Sequence, residues 1–164
     1  MDRRIATRDD WLAERRALLA AEKDFTRQRD ALSARRRDLP WVRVDRPYRF
    51  DTEAGPVPLA GLFGGKGQLI VYHFMFGTDW DQGCPSCSLW ADNFEGIGIH
   101  LAHRDTALTA VSKAPLEKLL AYRTRMGWTF PWVSSGGSGF NEDYGVTFAG
   151  EGGSYNYVPR TGTH

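Results

Sequence analysis

The sequence predicts an α/β domain, a partly parallel sheet with helices packed against it, preceded by one long helix. Three observations carry this. Two short apolar runs, 68-QLIVYHFMF-76 and 106-TALTAVS-112, have the uninterrupted pattern of strands covered on both faces. A helical pattern lies between them, so the two runs form a βαβ unit around a parallel pair. At the front, Trp11, Leu18, Phe25, Leu32 and Leu39 recur at strict sevens, with Leu12 and Leu19 widening the stripe. The organisation is an N-terminal amphipathic helix over residues 1–40 and an α/β domain over 41–164.

The opening helix has its start and stop written in. Thr7 precedes it and Asp10 stands three residues on, close to a capping box with Asp where Glu is usual. Pro40 stops it, because proline has no amide to give the last turn. Next, 41-WVRVDRPYRF-50 alternates in its first half, but Pro47 limits it to an edge or broken strand. The segment 54-AGPVPLAGLFGGKG-67 reads as a Gly/Pro loop with one helical turn at Leu59–Phe63. After the strand at 68–76 and the loop 77-GTDWDQG-83, a helix is expected from Pro85 to about His103, although Gly96 and Gly98 weaken it. Beyond the strand at 106–112, Pro115 suits the first turn of a helix that Gly127 ends. A short strand follows in 129-TFPWVSS-135, and the Gly-rich remainder carries little periodicity.

Composition narrows the function. The chain has 164 residues, 41% hydrophobic and 25% charged, which excludes wholesale disorder and is ample for a core. No apolar run is long enough for a membrane span. The start, 1-MDRRIATRDDW-11, lacks a secretory pattern, so a cytoplasmic location is expected. Residues 1–49 hold 14 Lys/Arg against 9 Asp/Glu. The cations alternate with acids, as in 27-RQRD-30, which is the pattern of a solvated helix face rather than a nucleic-acid surface.

The chemistry centres on Cys84-Pro85-Ser86-Cys87, between a strand and a helix. This is the rim where sites form in open α/β folds. Cys84 falls at the N-cap and Pro85 at the first helical position. Free amides there favour a thiolate at Cys84, and a lowered thiol pKa makes it a better leaving group. Cys87, one turn on, is in reach to close a disulfide. Pro85, Ser86, Trp80, Asp79 and His73 are the supporting candidates. His73 is either a core histidine or a proton-exchange partner. Asp79, or Asp81, is either a proton acceptor for Cys87 or a turn former. Trp80 either shields the pair or packs on the helix.

Rival chemistries have the same residues available. Cys84-x2-Cys87-x12-His100-x2-His103 approaches a zinc-finger spacing. On one continuous helix, however, His100 would stand roughly 20 Å from Cys87 at ~1.5 Å per residue, so zinc requires a break at Gly96–Gly98. Peroxiredoxins place Thr or Ser three residues before the reactive cysteine, where this chain has Asp81, and Thr78 is too early to match. Two inert buried thiols would also satisfy the spacing.

The strings 70-IVYHFMFGTDWDQGCPSCSLWADNF-94 and 107-ALTAVSKAPLEKLLAYRTRMGWTFPWVSS-135, with 39-LPWVRVDRPYRF-50, resemble a bacterial family of uncharacterised thioredoxin-like proteins, domain-of-unknown-function family 899. The resemblance covers about residues 5–148. It implies a thioredoxin-like fold and a dithiol–disulfide oxidoreductase role, with Cys84 attacking and Cys87 resolving. The segment 143-DYGV-146 is similar to the one before the last strands of peroxiredoxin-like relatives. Thioredoxin-like folds end in a cis-proline, a hairpin and a helix, whereas only five residues follow Pro159 here. The resemblance therefore implies a C-terminally shortened chain lacking its last strands, with a sheet edge that dimerisation through the N-terminal helix would cover. The expected partners are a protein or small-molecule disulfide, a reductant and a second copy, with no cofactor. The competing expectation is a binding module that keeps the fold and has lost turnover.

Overall fold

A computed structural model describes residues 4–147, 154–155 and 157–159. Contacts divide the chain into two units, Met1–Asp45 and Arg46–His164. No helix among the described residues is long and apolar enough to cross a membrane.

The first unit is helix α1, Arg8–Arg37. Thr7 caps it as the sequence suggests. Its hydroxyl accepts from the Asp10 amide at 3.2 Å and donates to the Asp10 carboxylate at 2.7 Å. Asp9 and Asp10 lie in the first turn and Arg35, Arg36 and Arg37 in the last, each group at the end its charge favours. None of the helix's residues is buried.

The second unit is built on a three-stranded parallel sheet, β3-β4-β5, with β3 at Gln68–His73, β4 at Thr106–Ser112 and β5 at Trp132–Ser134. A small antiparallel pair, β1 (Arg49–Phe50) and β2 (Val57–Pro58), comes before it. Asp51 joins that pair to Ser134 of β5. The 3-10 turn Leu59–Phe63 matches the turn expected within the Gly/Pro loop. Helices α2 (Pro85–Ala91), α3 (Ile97–Ala102), α4 (Leu116–Met126) and α5 (Phe140–Asp143) complete the unit. Two further short strands, β6 (Ser154–Tyr155) and β7 (Val158–Pro159), pair antiparallel.

Strand alternation sorts the core into two layers. Ala110 and Trp132 face one cluster with Phe74, Leu119, Tyr122 and Trp128. Val111 and Val133 face the other, with Tyr48, Phe50, Leu62 and Phe140. Ser112 ties the strands together inside this core. Its hydroxyl donates to the Phe74 carbonyl at 2.6 Å and accepts from the Trp132 indole at 3.0 Å.

Four expectations need correcting. The helix from Pro85 is not continuous to His103. It runs to Ala91, tightens to a 3-10 turn at Asp92–Phe94 and restarts at Ile97. The break is at Gly96, whose φ of +78° is left-handed backbone that glycine adopts cheaply. β3 is only partly buried, with Ile70 44% exposed, because it lies at the sheet's edge among the described residues. Pro115 is the N-cap of α4 rather than part of its first turn. The segment 41–48 forms no strand. The Gly-rich stretch at 148–153 lies outside the described residues.

Candidate functional site

The chain leaves β3 at His73, loops through residues 74–83 and enters α2 at Cys84. Gly83 allows that entry. A Cβ built there would sit 2.6 Å from the Phe74 ring and 3.3 Å from Tyr122. The backbone therefore lies directly on the aromatic core before turning into the helix. The Cys84 amide donates to the Met75 carbonyl at 3.0 Å, which fixes the N-cap beside the continuation of β3.

Cys84 is the N-cap of α2 and Pro85 its first residue, as the motif predicts. The Cys84 sulfur accepts from the Cys87 amide at 3.4 Å. The site draws on these local amides, because α2 itself is only seven residues long. Burial pushes the Cys84 thiol up, but the amides of Cys87 and Ser86 and the Cys87 thiol outweigh it and hold the group below its ordinary value. Cys87 moves the opposite way. Burial raises it, and the neighbouring Cys84 adds to the rise against the lowering by a backbone bond from Met75 and by the Tyr72 hydroxyl. Both cysteines are free thiols, partly accessible.

Two tyrosines that sequence reasoning missed hold this turn. Tyr72 donates to the Cys87 carbonyl at 3.1 Å, its ring locked edge-on to Phe94 with centroids 4.8 Å apart. Tyr122 meets the Ser88 hydroxyl at 2.9 Å, and that hydroxyl also reaches the Cys84 carbonyl at 3.0 Å. The signal for Tyr72 was the alternation of β3, since Tyr72 and Phe74 share the face against which α2 packs. Nothing local in the sequence marks Tyr122, which arrives from α4.

The supporting candidates are placed differently. Ser86 contributes its amide. His73 stacks on Phe140, centroids 5.3 Å apart, and hydrogen-bonds neither cysteine. Its Nδ1 is buried without a partner among the described residues, and burial lowers its pKa. Trp80 is 43% exposed and lies beside Gly77, as does Asp79. The Trp80 and Thr78 carbonyls accept from Lys118, which pins this loop to α4. His100 and His103 belong to α3 and its C-cap, past the break at Gly96. No group of three or more His, Cys, Asp or Glu side chains converges as a metal site among the described residues.

The chain belongs to a family of bacterial proteins of unknown function, DUF899, whose profile matches residues 1–161. No curated protein matches it.

Proposed function

We propose that the chain exchanges thiols and disulfides through Cys84 and Cys87 on a thioredoxin-like arrangement of strand, cysteine loop and helix. The observation that carries this reading is the Cys87 amide directed at the Cys84 sulfur, with Cys87 itself one turn on and harder to ionise. This asymmetry suits one attacking and one resolving thiol.

In the proposed reaction, the Cys84 thiolate attacks one sulfur of a substrate disulfide. The substrate S–S bond breaks, a mixed disulfide forms, and the departing thiolate takes up a proton. Cys87 then loses its proton and attacks the Cys84 sulfur. The mixed disulfide breaks, the second substrate thiol leaves, and Cys84 and Cys87 are joined. The substrate gains two electrons and the protein loses two, so turnover needs an external dithiol reductant. Partners in this reading are a protein or small-molecule disulfide, that reductant, and a second copy paired through α1.

Reduction of insulin with dithiothreitol as donor tests the proposal. Catalysed turbidity that disappears in Cys84→Ser is expected. A wild-type rate equal to dithiothreitol alone would leave a binding module and refute the exchange reading.

A further inference from the structure

We infer that the second unit holds a strand-docking slot beside β4 that takes a short, neutral, extended apolar peptide. β4 pairs with β3 from Thr106 onward, but with β5 only over Ala110–Ser112. Its backbone alternates. Val111 accepts from Phe74 on the β3 side, whereas Ala110 donates to Pro131 and Ser112 accepts from Ser135 on the β5 side. By the same period of two, the amides and carbonyls of Thr106 and Leu108 face the β5 side, where no strand runs among the described residues.

The sequence explains why β5 begins late. In this register the donor to the Leu108 carbonyl would come from Pro131, which has no N–H. One step earlier, the Thr129 amide is bound to the Glu95 carboxylate at 2.6 Å and is drawn away from β4. The space left is a cavity of about 750 Å³, with Leu108 and Pro131 in its lining. The 3-10 turn Leu59–Phe63 and helix α3 both pack against β4 and wall the gap, bringing Leu62 and Phe63 from one and Ile99 from the other.

Those features select the occupant. An amide and carbonyl on a strand edge with no partner among the described residues are matched by another backbone, and apolar walls on both sides accept apolar side chains of both alternations. The charged groups at the cavity are already engaged. Arg123 pairs with Glu53 at 2.6 Å, and Lys66 donates to the Ala102 carbonyl at 3.1 Å. A neutral segment fits better than an ionic one. Thr106 to Leu108 spans roughly 10 Å at ~3.3 Å per residue, room for about three docked residues. The slot lies at the start of β4 and does not depend on the cysteine chemistry.

The test uses the full chain, ¹⁵N-labelled, and the neutral capped peptide acetyl-Ser-Val-Ile-Val-Ser-amide. Saturating peptide is expected to slow hydrogen exchange of the Leu108 amide at least tenfold. The same peptide N-methylated at its three apolar residues is expected not to do so. Gly98 lines the cavity, and a Cβ added there meets nothing within 4 Å. Gly98→Leu adds apolar bulk at the edge of this space and should weaken peptide binding at least tenfold without lowering the unfolding temperature. An unchanged Leu108 amide under saturating peptide overturns the inference. So does equal binding of the N-methylated peptide, or an apolar dye such as anilinonaphthalene sulfonate that occupies the cavity and is not displaced.

Discussion

Cys84 and Cys87 are the same residue type three positions apart, and only their neighbours make them differ. Cys84 receives amide hydrogens, whereas Cys87 is more deeply set and faces another sulfur. The sign of the pH dependence follows. Cys84 is held down, so its reactive thiolate forms at lower pH than in a free cysteine, and Cys87 remains a thiol over that range. Alkylation by iodoacetamide, followed by mass spectrometry of each site, should show Cys84 reacting with a midpoint below the free-thiol value of about 8.5. Cys87 should lag at least tenfold at neutral pH. Equal rates at the two sites would remove the basis for assigning roles. Tyr72→Phe gives a second check. Loss of its bond to the Cys87 carbonyl should cost about 0.5–1.5 kcal/mol in urea unfolding. Because that hydroxyl also lowers Cys87, the Cys87 midpoint should move further up.

At the scale of elements, the junction between β3 and α2 depends on a close approach that the motif does not advertise. Gly83→Ala forces a methyl into the Phe74 ring at 2.6 Å, between partners that cannot retreat into solvent. The expected loss is about 1–3 kcal/mol, read by thermal unfolding, with the Cys84 midpoint shifting upward as its N-cap is displaced. Ser112→Ala should cost a similar 1–3 kcal/mol by chemical denaturation, because it leaves the Trp132 indole N–H and the Phe74 carbonyl buried and unpaired. These two sites mark where sequence reading stops. β4, the turn at Leu59–Phe63 and the Cys84 N-cap were legible because each is local, written in an apolar run, a Gly/Pro frame or a Cys-Pro pair. The helix break needed more, since Gly96 and Gly98 are equally suspect as letters and only Gly96 takes positive φ. Tyr122 and Ser112 rest on contacts between distant segments, for which a single sequence has no period to read.

On the scale of the whole molecule, α1 buries none of its residues among the described residues, and its length and charge suit a second helix as its cover. Thirty residues give roughly 45 Å of helix at ~1.5 Å per residue. Phe25, at the middle of the stripe, is 66% exposed. A repeat of seven imposes a left-handed seam suited to pairing with another helix. Residues 8–22 hold three Lys/Arg and four Asp/Glu, whereas residues 23–37 hold six and two. Two parallel copies would set the cationic halves together. Antiparallel copies set each cationic half against the acidic half of its mate and bring Leu18 opposite Leu32, with Phe25 at the centre. Sedimentation equilibrium should therefore find a dimer that Leu18→Glu with Phe25→Glu reduces to monomer, the Cys84 alkylation profile staying unchanged because that site is in the second unit. In a Cys84→Ser, Cys87→Ser background, mixing Leu18→Cys with Leu32→Cys chains should give crosslinked heterodimers far faster than either chain crosslinks with itself. Preferential self-crosslinking of Leu18→Cys would show the parallel arrangement and defeat the charge argument, and a monomer at all concentrations would defeat the pairing altogether.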